Sequence, residues 1–242
     1  MADSFAFVSD VHLEPGNKRR EEHFGAFLDC IREGADRLYI LGDLFDYWIG
    51  HGHERQPEYR AALAHIRRAV DSGLQVILLH GNRDFLLNRA ITPICGATVA
   101  GDELRLDLTG TAVHLCHGDR LCDRDHGHRW LHAVLRSRAF GVIYGSCPYF
   151  IRDFLARVLR LISRHCTARK ARVVTSITDA ALERVFAAGA DVLVCGHTHA
   201  REERTIPFAG SNRSLFNLGD WSQDGSYLVY KDGVFSFLHY QR

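Results

Sequence analysis

At 242 residues, with 46% hydrophobic and 24% charged residues and a formal net charge of +1, the chain has the balance of a soluble globular protein that builds its core without disulfides or structural metal. No apolar run is long enough to span a bilayer, and Met1-Ala2-Asp3-Ser4-Phe5 lacks the basic and apolar regions of a secretory leader. The seven cysteines are scattered without a Cys-x-x-Cys pair, which reads as reduced thiols of a cytosolic protein.

Short β-branched and aromatic runs alternate with helical stretches along the chain. Strands are expected at Phe5–Ser9, Leu38–Leu41, Val76–His80, Ala112–Cys116, Val192–Cys195 and Ser214–Leu218, and helices near Arg19–Glu33, Pro57–Ser72 and Thr178–Ala188. The tail differs: Tyr227-Leu228-Val229-Tyr230 and Val234-Phe235-Ser236-Phe237-Leu238 flank an Asp232-Gly233 turn, the pattern of an antiparallel hairpin. A hairpin closing one sheet favours a two-sheet sandwich flanked by helices over a simple doubly wound sheet.

Residues 120–172 break this alternation and read as helical throughout. They hold twelve Lys/Arg and three Asp/Glu, a charge of +9 that leaves −8 for the rest of the chain. Between Tyr149 and His165 the apolar residues Phe150, Ile151, Phe154, Leu155, Val158, Leu159 and Ile162 recur at helical spacing, with Arg152, Arg157, Arg160 and Arg164 among them. The expectation is a helical insert capping one edge of the core. Its basic face suits an anionic surface, unless the charge is simply solvated and the stripe simply packed on the main domain.

Five short motifs each follow an expected strand: Asp10-Val11-His12, Gly42-Asp43, Gly81-Asn82-Arg83-Asp84, His117-Gly118-Asp119 and Gly196-His197-Thr198-His199. Ligand sites of open α/β sheets gather at the carboxyl ends of strands, so the five motifs converge. Carboxylate, amide and imidazole donors together suit Mn²⁺, Fe or Zn²⁺ better than Ca²⁺ or Mg²⁺. Seven donors exceed one tetrahedral ion and suit two ions about 3.5–4 Å apart sharing a carboxylate.

In this order the motifs resemble the calcineurin-like metallophosphoesterase superfamily. The resemblance implies a β-sandwich with helices on both sides, one domain over residues 1–242, and a dinuclear site. It would place one ion on Asp10, His12, Asp43 and His199 and the other on Asp43, Asn82, His117 and His197, with Asp43 bridging and Asp84 orienting a ligand from behind.

One position narrows the chemistry. Where most relatives carry a His that protonates an alkoxide leaving group, this chain carries Arg83. Arginine does not titrate near neutrality but clamps phosphate well. A leaving group that is itself a phosphate monoester needs little protonation, so Arg83 points to pyrophosphate cleavage. Tyr39-Ile40-Leu41-Gly42-Asp43-Leu44-Phe45, Trp48-Ile49-Gly50, His80-Gly81-Asn82-Arg83-Asp84-Phe85-Leu86-Leu87, His117-Gly118-Asp119-Arg120-Leu121-Cys122 and Leu218-Gly219-Asp220-Trp221 are similar to the UDP-2,3-diacylglucosamine hydrolase family of lipid A biosynthesis. That likeness implies a Mn²⁺-dependent enzyme with a helical lid at residues 122–172 that lodges acyl chains. It also implies a nucleotide-linked glycolipid substrate and a place on the cytoplasmic face of the inner membrane, with no nucleic-acid or obligate protein partner. Carried over by position, Asp43, Asn82, Arg83, His117 and His197 would be catalytic. Asn82, Arg83, Asp125, Ser163, Thr167, Lys170 and His197 would meet substrate, although Thr167 stands where the family usually has Asn. An enzyme acting on another nucleotide-linked lipid, or on a soluble nucleotide or phosphoester, is the alternative. Outside these motifs, His51, His53, His126 and His128 read as solvated or lid residues. Cys116 and Cys195 read as buried small hydrophobes, and His80 as a satisfied core histidine.

Overall fold

The computed structural model describes residues 4–124, 126–168 and 176–240, with side chains other than those at 58, 126, 128, 129, 132, 138, 139, 161–168 and 224. Strands β1 (Phe5–Val8), β2 (Arg37–Leu41), β3 (Gln75–Leu79), β4 (Thr98–Gly101), β10 (Ser226–Lys231) and β11 (Val234–His239) form a six-stranded sheet in the order β11-β10-β1-β2-β3-β4. Strands β5 (Glu103–Leu108), β6 (Thr111–Cys116), β7 (Val192–Cys195), β8 (Glu202–Phe208) and β9 (Ser211–Asn217) form a five-stranded sheet in the order β5-β6-β7-β9-β8.

Alternation along β1 shows why the sheets stack. Phe5 and Phe7 point between the sheets, against Tyr39, Leu41, Val113, Leu115, Val194 and Phe216. Ala6 and Val8 point outward, beneath α1 (Lys18–Ile31) and α2 (Pro57–Asp71), where Phe24, Phe27, Leu63 and Ile66 cover them. On the far face Leu193, Cys195 and Leu215 pack on Ala181, Leu182 and Phe186, at α7 (Asp179–Ala187). The result is a helix–sheet–sheet–helix sandwich, as expected.

Strands β1, β2 and β3 run parallel, as do β6, β7 and β9. The ligand motifs therefore sit at one end of the sandwich. The hairpin forms as read, with Asp232 and Gly233 at φ 52° and 84°, as a type I′ turn requires. Strands β4, β5 and β8 are not among those expected from the sequence. Each lies at the edge of its sheet, and β8 contains Pro207, which weakens a strand signal and is tolerated at an edge.

The segment after β6 is helical: α4 (His126–Leu135), α5 (Arg138–Ser146) and α6 (Tyr149–Ala168) follow the short α3 (Thr92–Cys95) in chain order. Its apolar stripe is not packed as a core. Phe150 and Phe154 are 71% and 65% exposed, and Trp130, Val142 and Ile143 are also open. Its arginines do not form one outward face either. Arg152 is buried and donates to the Ile49 and His51 carbonyls at 3.0 and 2.9 Å. Arg160 reaches Asp46, while Arg157 lies exposed beside Asp153 at 2.9 Å.

Candidate metal centre

Each donor is set by its backbone. Asp10, His12, Asp43, His197 and His199 all have positive φ, between 51° and 71°, a conformation that costs a side-chain-bearing residue about 1–2 kcal/mol. Cross-strand hydrogen bonds hold them there: His12 N donates to Asp43 O at 2.9 Å and Leu13 N to Leu44 O at 2.8 Å. Asp84, fully buried, accepts from Gly81 N at 2.8 Å, Leu44 N at 2.8 Å and Asp43 N at 3.2 Å, and so ties the Asp43 loop to the Asn82 loop. Gly81 has no room for a side chain, because a Cβ would fall on the Asp43 carboxylate and backbone nitrogen.

The side chains converge as acceptors facing acceptors. His117 Nδ1 donates to the Leu41 carbonyl at 2.9 Å, which leaves Nε2 a lone pair. That lone pair lies 2.8 Å from Asn82 Oδ1 and 3.3 Å from His197 Nδ1, which is itself 2.9 Å from Asn82 Oδ1. Nearby, His199 Nδ1 meets Asp220 at 3.1 Å and turns Nε2 toward Asp10 Oδ1 and His12 Nε2, each 3.3 Å away. Asp10 Oδ1 is buried with only the His199 ring beside it, and His12 Nδ1 is buried with no hydrogen-bond partner among the described residues. Such a set is satisfied by cations. Two groups have donor atoms within 4.8 Å of one another, Asp10, His12 and His199 in one and Asp10, Asp43 and His117 in the other. The seven residues expected to bind metal thus lie together; the residue common to both groups is Asp10, while Asp43, expected to bridge, belongs to the second.

Burial lowers His199 and His117, but the Asp10 and Asp220 hydrogen bonds raise His199 to about 10 and the Asp43 and Asp10 charges raise His117. Bound cations would displace the protons so held. Burial pushes the Asp10 carboxyl up, but the His199 hydrogen bond and the charge of His117 hold it well below the usual carboxylate range. Burial, aided by Arg83, pushes His12 down to about 3, so its imidazole is neutral. Burial raises Asp43 to about 6 against the pull of His117 and Arg83.

Arg83 stands over this centre, with Nε 3.2 Å from Asp43 Oδ2 and Nη1 2.9 Å from Asp46 Oδ1. Asp46 also accepts from Arg160 Nε at 2.8 Å, so one buried carboxylate joins the metal loop to α6. A second strut is Arg136, between α4 and α5, which donates to Gly81 O at 3.2 Å, pairs with Asp102 at 2.6 Å and covers the Phe85 ring. Between loop and helices lies an apolar cavity of about 120 Å³, walled by Trp48, Asn82, Arg83, Leu135, Tyr144 and Leu159.

The sequence alone points to no role at this site for Asp46, Arg136, Arg160 or Asp220. Asp220 carried a signal, since it stands in Leu218-Gly219-Asp220-Trp221, and it orients His199. His80 is satisfied as expected, with Asp102 at 2.9 Å and Leu87 O at 2.8 Å, and Cys116 and Cys195 are buried. His51 is exposed, but His53 is a correction. It is 1% exposed, beneath Tyr59 and Tyr149, because distant aromatic residues close over a stretch that reads as loop. Asp125 and Lys170 lie outside the described residues. Ser163 and Thr167 fall on α6, their side chains outside the described set.

The family model for calcineurin-like phosphoesterases matches residues 4–201. The chain belongs to that family. Among curated relatives of this phosphoesterase, a UDP-2,3-diacylglucosamine hydrolase from Pseudomonas fluorescens (strain SBW25) is 38% identical, over 90% of this chain and 88% of its own. Proteins of the same name from Pseudomonas aeruginosa (strain UCBPP-PA14) and Pseudomonas entomophila (strain L48) are 36% and 37% identical, over 92% and 97% of this chain and 92% and 98% of their own. Within the calcineurin-like phosphoesterases the chain therefore belongs with the UDP-2,3-diacylglucosamine hydrolases.

Proposed function

We propose that this phosphoesterase hydrolyses the pyrophosphate bond of UDP-2,3-diacylglucosamine to UMP and 2,3-diacylglucosamine 1-phosphate (lipid X). The observation that carries the reading is the position of Arg83. It sits beside Asp43 at the metal centre and at the mouth of an apolar cavity.

The donor set fits two divalent cations, Mn²⁺ by preference, one on Asp10, His12, Asp43 and His199 and one on Asp43, Asn82, His117 and His197. When bound they supply Lewis acidity and an acidified water. The chain's own residues do the rest. Arg83 and Arg160 offer two guanidinium groups to the phosphates, held by Asp46 until substrate arrives. Neither gives up a proton, which suits a departing phosphate monoester that needs none. Tyr47, Trp48, Tyr144 and Leu159 exclude water from the lipid side.

Helices α4–α6 serve as a lid in this reading, with acyl chains following the cavity toward the open Phe150 and Phe154. Trp130, Val142 and Ile143 would rest on the cytoplasmic leaflet of the inner membrane, aided by exposed cations such as Arg157. Among the described residues no helix is long and apolar enough to cross a membrane, so this contact is peripheral.

The test is UMP release from UDP-2,3-diacylglucosamine with Mn²⁺, beside a metal-free control and a deacylated substrate. Release that needs both the metal and the acyl chains is expected. Equal turnover of the deacylated compound would remove the lipid from the reading. No release by metal-loaded protein that cleaves other pyrophosphates would redirect it to another substrate.

A further inference from the structure

A pyrophosphate diester bound over the metal centre projects two substituents away from it. The apolar cavity takes one of them, on the β2–β3–β4 flank. The opposite flank of the same sheet has its own opening. The pairing of β1 with antiparallel β10, and of Ser226 with His239, brings the ends of β10 and β11 to the level of Asp10. There a cavity of about 880 Å³ lies between the start of α1, the short α8 (Trp221–Asp224) and Tyr240. This is ample for a nucleotide.

Its walls bond to the backbone carbonyls of two metal donors. Arg20 Nη1 donates to the His12 carbonyl at 2.7 Å, and Ser222 N to the Asp10 carbonyl at 3.4 Å. Asp220, which meets His199, accepts from Gln223 Nε2 at 2.7 Å. The chemistry is opposite to that of the lipid side. Arg19 and Arg20 supply cations at the entrance, and His23 lies 5.0 Å from the Trp221 ring and 5.2 Å from the Tyr240 ring, an aromatic group with polar edges. The Trp221 indole Nε1 is buried and has no acceptor among the described residues. A buried N–H without an acceptor is costly, so a ligand that supplies one at this wall gains by it.

We infer that this cavity, walled by Arg20, Trp221 and Gln223, is a nucleoside monophosphate subsite that receives the UMP half of the substrate. The inference rests on the proposed substrate for its choice of nucleotide. Arg20 draws the phosphate side, the indole N–H and the Gln223 amide meet carbonyl and hydroxyl groups of the nucleoside, and the half-buried His23 and Tyr240 rings flank the base. An acyl chain finds no continuous apolar wall here, so the two flanks sort the two halves of the molecule.

Calorimetric titration of the Mn²⁺-loaded chain with UMP, uridine and inorganic phosphate tests this. UMP should bind the wild type and bind Trp221→Phe and Gln223→Ala about tenfold more weakly, while inorganic phosphate binds all three alike. Metal content, measured alongside, should not change. UMP binding that is equal in all three proteins, or absent from the wild type at millimolar concentration, would overturn the subsite. Equal losses for phosphate would assign the site to a free anion instead. Hydrogen exchange on the wild type does not depend on the variants folding. UMP should protect residues 17–23 and 221–225, and protection confined to residues 131–160 would place the nucleotide on the lipid side. UMP bound here without hydrolysis of the glycolipid would sink the proposed substrate and leave the subsite standing. Hydrolysis without such protection would do the reverse.

Discussion

The loops that carry the metal donors and the helices that stand beside them are fastened by different means. The loops are held by backbone. Neighbouring strands exchange hydrogen bonds across Asp10, His12 and Asp43, Asp84 stitches two loops together, and a glycine with no room for a Cβ sets their spacing. The helices are held by long side chains reaching across a gap: Arg152 to two carbonyls, Arg160 to Asp46, Arg136 to Gly81. Backbone packing fixes positions to a fraction of an ångström, as a metal site requires. Side-chain struts let a segment shift while it stays attached, as entry of a large substrate requires.

Each strut and loop offers a way to break this contrast. The largest effect is expected from Gly81→Ala, which drives a methyl group into Asp43. Activity should fall by about 100-fold or more with loss of bound metal, as measured by turnover and elemental analysis. Retained metal would mean that the loops have slack. Arg152→Ala leaves two carbonyls short of a donor and should cost about 2–3 kcal/mol locally, seen as faster hydrogen exchange in residues 126–168 with metal content unchanged. Metal loss in that variant would show that the two regions are one unit.

His53, under the helices, gives a pH handle. Burial pushes it down to about 3, helped by Arg152 and Arg157 and opposed by a hydrogen bond to the Tyr47 backbone. Its folded value lies below its unfolded one, so its contribution is complete above about pH 6.5 and is lost as pH falls toward 3. At pH 5 this amounts to about 2 kcal/mol. Denaturant melts of wild type and His53→Leu at pH 7.5 and pH 5 should differ by that amount in their pH dependence. Parallel loss in both proteins would assign acid sensitivity elsewhere. The smallest effect is expected from Asp46→Asn, which keeps the shape but loosens the hold on Arg83 and Arg160. KM for the glycolipid should change about fivefold with kcat nearly constant, and a fall in kcat alone would make Asp46 part of the chemistry.

The same contrast explains what was legible in the sequence. The donors lie in short motifs directly after strands, so type and spacing reveal them without knowledge of packing. Periodicity places Arg152 and Arg160 on a helix but does not say that their side chains bend back to Ile49 and Asp46, which depends on how the helix docks. His53 reads as loop because Tyr59 and Tyr149, which bury it, lie elsewhere in the chain. Asp220 is separated from His199 by a whole hairpin, and only the register of β7, β8 and β9 brings them together.

The left-handed backbone at five donor positions reaches beyond catalysis. Each is a small loaded spring, and together they oppose folding by several kcal/mol, on the scale of about 1–2 kcal/mol apiece. Cations that bind only the folded arrangement return that energy, by an amount that grows with the logarithm of their free concentration. The lifetime of the chain is thereby linked to metal supply. Chelation should shorten its survival against proteases, so that a metal-starved cell loses the protein together with its activity.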